Sequence, residues 1–474
     1  MENQNDWQGV SLALLKDPHN FKLWQQFVYT VEHQNGTRLD VTSSEAQKTL
    51  LRQVYESFLR KYPYICKYWI SFAGWERKLD GVDRAEAVFQ QGLRFLSLDL
   101  HYWVAYLNFL VETISSNVEE VADLFERARE KIGFNYYAYE FYSLYIEFLK
   151  TYHTSENKFL DKLALLFRLT MEIPLYDYSS LYKELILFVQ PQKQSLSHLT
   201  SFLGEANLKT MRKECNNNNN LILQKLNKII TDAYIVVQSQ SFEIYAFEKE
   251  IPSPVSYTPE RLLAATRELW HRYLSFAEYN FPFSYVAQLF DRCVYLTSDY
   301  TEFYESYVDY LIKFDKLSLA KSVLNTGCAS VSSIGGTVLL LRLVDLEIYE
   351  GNVIRARDLL ASFIAHNKST PLCIYDKLLE VEALLSRNDE QHLCLLAKEL
   401  IKATKSTTYF RKIAQFDISN KTLAEFFLLF ISDPQELKLE ESKSFWEQLQ
   451  KCADNSQLES VTIPESFAKL SATT

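Results

Sequence analysis

The sequence predicts an all-α protein built as an α-solenoid of stacked helix–turn–helix repeats in two arrays. Three observations carry this. Aromatic triplets with three-residue internal spacing recur along the chain: Trp69, Phe72 and Trp75; Trp103, Tyr106 and Phe109; Tyr142, Tyr145 and Phe148; Trp270, Tyr273 and Phe276; Tyr304, Tyr307 and Tyr310. Trp69 lies 34 residues before Trp103, and Trp270 lies 34 before Tyr304, a period near that of helical-hairpin repeats. Eleven Gly and eleven Pro are few for 474 residues, which suits helices and disfavours strands.

Each repeat is expected to hold two short helices. Residues three and four apart share a helix face, so each triplet forms one apolar stripe. The second helix carries a large apolar residue with small residues four before and three after it: Ala85, Phe89 and Gly92; Val121, Phe125 and Ala128; Ala320, Leu324 and Gly327. Val286, Phe290 and Cys293 fill the same places, and Leu360 after Ala356 extends the series. The small residues let a neighbouring helix approach. A pair this short cannot bury both stripes alone, so stacking against further pairs is required. The expected repeat core is Trp24, Trp69, Phe72, Phe89, Trp103, Tyr106, Phe125, Tyr142, Tyr145, Trp270, Tyr273, Phe290, Tyr304 and Tyr307.

In chain order, residues 1–190 read as an N-terminal array. Trp24 and Phe27 open it after a turn at Asp17 to Asn20, and a polar loop at about 33–43 with Asn35-Gly36 leads to a helix around Tyr55 and Phe58. Tyr62-Pro63 ends that helix, because a residue before Pro is pushed out of the α region. Ile173-Pro174 closes the fourth unit, and a further helix carries Tyr182, Leu185 and Phe188. Residues 191–220, with five consecutive asparagines from Asn216 to Asn220, read as an Asn/Ser/Gln-rich exposed linker, partly disordered, enclosing the basic group Lys209, Arg212 and Lys213. Residues 221–258 read as a long connecting helix that ends at Ile251-Pro252, and 259–435 as the C-terminal array. Gly335-Gly336 reads as a turn between helices. Residues 436–474 read as a final helix around Phe445 and Trp446 with a polar tail. The apolar cluster Phe426, Phe427 and Phe430, with Phe445 and Trp446, exceeds what a terminal repeat needs and is expected to form a dimer interface.

Composition narrows the function. The net charge of −10 argues against broad phosphate-backbone binding, which needs clustered Lys and Arg. The seven cysteines form no CxxC pair, as expected of reduced, buried thiols in an intracellular protein. The polar N-terminus lacks a signal-peptide core, and no apolar run reaches membrane-spanning length. There is no phosphate loop, dinucleotide fingerprint, nucleophile elbow or HExxH motif. No catalytic residue, cofactor site or metal site is therefore expected, and the chain is not expected to be an enzyme.

The type of repeat follows from the residues beside the tryptophans. The tetratricopeptide pattern places Leu-Gly three and four residues after Trp; here the third residue is aromatic and the Gly is absent. Aromatics at both places, with an acid directly after the second-helix ring at Glu56, Glu126 and Asp291, resemble the half-a-tetratricopeptide (HAT) repeat, which is associated with RNA-processing complexes.

Leu59-Arg60-Lys61-Tyr62-Pro63 followed by Tyr68-Trp69 and Phe72-Ala73, Met171-Glu172-Ile173-Pro174-Leu175, and the helix around Tyr234 to Gln238 and Phe242 to Tyr245 go further. Over most of residues 20–310 the chain resembles the paired pre-mRNA-processing HAT proteins of the U1 small nuclear ribonucleoprotein. The resemblance implies a nuclear, non-enzymatic scaffold. It implies dimerisation through C-terminal repeats, as a homodimer or with a related HAT protein, holding other particle proteins for 5′ splice-site recognition, with RNA association mainly indirect and no membrane. Other readings are a HAT scaffold of another complex, in mRNA 3′-end processing or ribosome biogenesis, and a direct RNA-binding protein.

Overall fold

The computed structural model describes residues 7–33, 39–40, 42–113, 117–154, 158–190, 199–251, 263–331, 333–367, 370–385, 390–404, 406, 408–416, 418–432, 445, 447–449 and 451. Every regular element among the described residues is a helix, and two compact units emerge, Met1–Leu296 and Thr297–Thr474.

The first unit starts with α1 (Trp7–Lys16) and α2 (Phe21–Glu32), the latter capped by Asn20, whose side chain accepts from the Leu23 amide at 3.3 Å. The helix α3 (Glu45–Lys61) begins with a capping box in which Ser44 and Gln47 satisfy each other's amides. The Trp69 region forms the paired helices α4 (Cys66–Leu79) and α5 (Val82–Leu96), joined at Gly81, whose φ of +100° suits a residue without Cβ. The pairs α6 (Leu100–Thr113) with α7 (Val118–Ile132), and α8 (Tyr139–Thr151) with α9 (Phe159–Thr170), repeat the hairpin. Asp99 starts α6 by accepting from the Tyr102 amide at 2.8 Å.

The helix α10 (Tyr178–Val189) follows, and beyond it the structure corrects the expected linker. Residues 199–214 form two short helices, α11 (Leu199–Leu203) and α12 (Glu205–Glu214). Leu199, Phe202, Leu203, Leu208 and Met211 are buried in the main core. The polar composition hid these residues because apolar side chains at helical spacing alternate with Asn, Ser and Lys. Lys209 pairs with Glu205 at 3.0 Å on the outer face of α12. Of the asparagine run, Asn216 and Asn217 take left-handed backbone, and Asn218 caps α13 (Asn219–Glu248). Residues 191–198 lie outside the described residues, as do Asn35-Gly36 and Pro252 to Pro259.

Next come α14 (Ala264–Asn280) and α15 (Phe283–Leu296). They open the stretch expected as the C-terminal array, and by packing they lie in the first compact unit. Gln288 of α15 explains this: its side chain accepts from the Phe134 amide at 2.9 Å and donates to the Glu130 carbonyl at 2.5 Å, which ties α15 to the end of α7.

The second unit stacks α16 (Thr301–Lys313), α17 (Leu317–Ser330), α18 (Ser333–Tyr349), α19 (Val353–His366), α20 (Leu372–Leu385), α21 (Glu390–Thr404), α22 (Thr408–Ile413) and α23 (Asn420–Ser432). Gly335 and Gly336 are not a turn; they sit in the first turn of α18, where a Cβ on Gly335 would lie 2.3 Å from the Thr301 hydroxyl oxygen. The close approach of α18 to α16 therefore requires glycine. Buried Glu347 of α18 is neutralised by Lys321 and Arg355, each at 3.4 Å, and accepts from Asn352 at 3.0 Å.

Candidate functional site

The repeat works through one ring contact made again and again. The ring of a second helix lies flat on the ring three residues after the Trp position of the next first helix. Tyr55 stacks on Phe72 with centroids 5.0 Å apart, Phe89 on Tyr106 at 5.1 Å, Phe125 on Tyr145 at 4.6 Å and Phe247 on Tyr273 at 5.0 Å. Interplanar angles run from 5° to 19°. Such pairs add to the burial of their area. The tryptophans are equally repetitive. Three indole N–H groups donate to the carbonyl six residues earlier: Trp24 to Pro18 at 3.0 Å, Trp69 to Pro63 at 2.9 Å and Trp103 to Ser97 at 2.8 Å. A buried indole thereby satisfies its donor and fixes the turn that enters its helix.

The small residues act as the sequence suggests. A Cβ on Gly92 would stand 2.0 Å from the Tyr102 hydroxyl oxygen, and one on Gly327 would stand 2.8 Å from the Tyr304 ring. Trp69, Phe72, Phe89, Trp103, Tyr106, Phe125, Tyr142, Tyr145, Trp270, Tyr273, Phe290, Tyr304 and Tyr307 are buried, and Trp24 is half-buried.

Buried tyrosines need acceptors, and an acid supplies them. The Tyr145 hydroxyl donates to Glu126 at 2.6 Å and the Tyr273 hydroxyl to Glu248 at 2.9 Å. Both acids directly follow the ring that stacks on that tyrosine. Burial pushes the Tyr106 hydroxyl up to about 12, and Glu86 adds to the rise. Glu248, fully buried, also receives both terminal nitrogens of Arg292. Its position was legible in Phe247-Glu248, a ring–acid dipeptide like Phe125-Glu126, but the uninterrupted length of α13 disguised its C-terminal half as part of a connecting helix.

The structure places the expected dimer-interface rings inside the second unit. Phe426, Phe427, Phe430 and Phe445 are at most 3% exposed. They surround Phe410 of α22, with centroids of Phe427, Phe430 and Phe445 at 5.6, 5.0 and 4.7 Å from it. The apolar excess covers itself, since α22 supplies a central ring that the dense cluster in α23 encloses. Trp446 lies outside the described residues.

Two surfaces of the first unit are open. A groove of about 560 Å³ among α8, α9 and α10 has Leu149, Leu163 and Phe188 on its floor and the exposed Leu160 and Leu187 on its rim; Lys150 and Glu184 bridge it at 2.9 Å. The second half of α13 presents Ile235, Val236, Phe242 and Tyr245 to solvent. Among the described residues no group of three or more His, Cys, Asp and Glu side chains could hold a metal, and no helix is long and apolar enough to cross a membrane. Of the described cysteines, Cys66, Cys215, Cys293 and Cys394 are buried, Cys328 is half-buried and Cys373 is exposed.

Comparison with known proteins agrees with this architecture. The family model described as PRP39 N-terminal HAT repeat matches residues 9–186, and that described as PRP39 C-terminal HAT repeat matches residues 242–382. Pre-mRNA-processing factor 39 of Schizosaccharomyces pombe is 24% identical over 76% of this chain and 60% of its own length. The U1 small nuclear ribonucleoprotein component PRP42 of Saccharomyces cerevisiae is 30% identical over 58% of this chain and 51% of its own. Pre-mRNA-processing factor 39 of Saccharomyces cerevisiae is 25% identical over 57% of this chain and 38% of its own. The chain thus spans between about two fifths and three fifths of these relatives.

Proposed function

The chain belongs to the PRP39 HAT-repeat family, and on that premise we propose that it is a non-enzymatic scaffold in pre-mRNA splicing, resident in the nucleus as part of a U1-type ribonucleoprotein particle. The observation that carries this reading is the match of both family models, in order, to the stacked hairpins of α2–α10 and to the repeats from α13 to α20. A relative named as a U1 particle component supports the choice of particle. The physics suits the role: a stack of hairpins offers long, rigid faces to several partners at once. The acidic net charge fits protein partners, with RNA held mainly through them.

The scaffold dimerises through its C-terminal repeats, with itself or with a related HAT protein, and positions particle proteins for 5′ splice-site recognition. Because the rings around Phe410 are enclosed, dimerisation uses outward side chains of the second unit, such as Leu395 and Leu429, at 62% and 52% exposure. Purification of the tagged chain from cells that express it, with bound RNA and proteins identified, tests the proposal. Enrichment of U1 RNA with other U1 proteins is the expected result. Enrichment of 3′-end-processing or preribosomal factors without U1 RNA would move the scaffold to another complex.

A further inference from the structure

One end of the hairpin stack in the first unit is basic although the chain is acidic. At that end one hairpin passes into the next, through residues 16–22 (α1 to α2), 60–67 (α3 to α4) and 94–101 (α5 to α6). These three stretches hold Lys16, Lys22, Arg60, Lys61, Lys67 and Arg94 against Asp17 and Asp99, in a chain of net charge −10. Asp99 is buried and accepts from the Tyr102 amide, and Asp17 accepts from the Asn20 side chain at 3.1 Å. Acids gather at the opposite end, where Glu45, Asp83, Glu119 and Glu120 stand in the first turns of α3, α5 and α7.

Helix physics explains only half of this pattern. Arg60, Lys61 and Arg94 complement the negative ends of α3 and α5. The positive ends of α2, α4 and α6 should then draw acids, yet their first turns contain none. A base stands two residues before Trp24, Trp69 and Trp103 instead: Lys22, Lys67 and His101. A cation in a first turn opposes the helix dipole, so these placements weaken the fold and call for a use outside it.

The three stretches form one surface. The Lys61 ammonium donates to the Pro18 carbonyl and the Tyr62 hydroxyl to the His19 carbonyl, the latter at 3.0 Å, which joins the first stretch to the second. Tyr64 meets Phe95 edge-on with centroids 6.2 Å apart, which joins the second to the third. Both rings stay open, at 44 and 41% exposure, and Lys22, Arg60, Lys67 and Arg94 are exposed in the same turns.

Cations interleaved with open rings fit a single nucleic-acid strand, whose phosphates meet the cations and whose unpaired bases stack on the rings. An acidic protein segment would use the cations and leave the rings idle. We infer that the edge formed by Lys22, Arg60, Tyr64, Lys67, Arg94 and Phe95 binds a single-stranded RNA segment directly. The inference rests on the scaffold reading, which sets the chain beside RNA, and adds one direct contact to those made through partner proteins.

The test uses the purified full chain and a fluorescent oligouridine, read by anisotropy over a salt series. The wild-type chain binds it, more weakly as salt rises. Lys22→Glu with Lys67→Glu weakens binding about tenfold or more at low salt and reduces the slope of log affinity against log salt by about 1.4, at about 0.7 for each lost phosphate contact. The same variant melts no lower than the wild type, because acids in first turns suit the helix dipole, whereas loss of a structural role would lower its melting temperature. Tyr64→Ala with Phe95→Ala weakens binding about tenfold or more with the slope unchanged, on the scale of base–ring stacking. Helicity by circular dichroism stays at the wild-type level in both. Absence of RNA binding by the wild-type chain overturns the inference, as does binding unchanged in either variant. Duplex RNA bound as tightly as the single strand also overturns it, because paired bases cannot stack on the rings. So does displacement of the RNA by an oligoglutamate peptide together with indifference to the ring variant, which would assign the edge to an acidic protein. The protein is measured alone, so failure here leaves U1 RNA co-purification, and with it the scaffold reading, untouched.

Discussion

Arg292 donates its two terminal nitrogens to the two carboxylate oxygens of Glu248, at 2.7 and 2.6 Å, across 44 residues of sequence. Glu248 ends α13 and Arg292 lies on α15, so the pair closes the last hairpin of the first unit onto the long helix. The guanidinium also lies 5.6 Å from the Trp270 ring centroid, and the Tyr273 hydroxyl completes the carboxylate's shell. Removing one partner leaves the other charge buried and unmatched. Arg292→Ala is expected to destabilise the first unit by about 3–5 kcal/mol. Urea unfolding followed by tryptophan fluorescence reads mainly this unit, because Trp7, Trp24, Trp69, Trp75, Trp103 and Trp270 belong to it and Trp446 alone does not. Glu248→Leu combined with Arg292→Met is expected to cost less than either single change.

Two glycines on adjacent helices make opposite predictions. Gly92 has no room for a Cβ because the Tyr102 ring occupies the space, and Tyr102 is held there by its hydroxyl's bond to the Phe89 carbonyl at 2.9 Å. Gly92→Ala is expected to destabilise by about 1–3 kcal/mol. A Cβ on Gly74, within α4, would meet no neighbour within 4 Å. Gly74→Ala is expected to stabilise by about 1 kcal/mol through backbone entropy. The same fluorescence measurement checks both.

The rings around Phe410 hold the second unit together. Phe427→Ala opens a cavity at a fully buried site and is expected to cost about 3–5 kcal/mol. Amide exchange in α21, α22 and α23 would speed up, while light scattering of the still-folded fraction would show the wild-type mass. A folded variant with a changed mass and unchanged exchange would return these rings to an interface.

Two carboxyl groups respond to pH with opposite sign. Burial holds the Asp99 carboxyl above its usual 3.8, although the Tyr102 amide, His101 and Cys66 favour its charge. Its contribution is fully present below 3.8 and is lost as pH rises through the raised folded value. Stability of the first unit relative to Asp99→Asn should therefore fall over that rise. Glu390 is exposed, and hydrogen bonds from Ser419 and Thr422 lower its carboxyl below the usual 4.5. Its contribution is present above 4.5 and is lost as pH falls through the lowered value. Exchange in α21 and α23 should quicken on acidification in the wild type and change less in Glu390→Gln.

The repeat was written in the sequence because its determinants are local. A helix face needs residues three and four apart, so Trp69, Phe72 and Trp75 announce a stripe without reference to anything distant, and Ala85 and Gly92 mark where the next helix can approach. The ring–acid dipeptides stood in the sequence, but that their acids accept from buried tyrosine hydroxyls was visible only in the structure. Composition was a poorer guide at 199–214, where five apolar residues at helical spacing outweigh the polar ones around them. What only the tertiary structure decided was which surfaces remain open. Whether Phe426, Phe427 and Phe430 face a partner or their own chain depends on Phe410, and whether α14 and α15 join the earlier helices depends on Gln288 reaching the end of α7. Burial is a property of what comes to lie opposite a side chain, and partners that meet across many residues leave no periodic trace in the sequence.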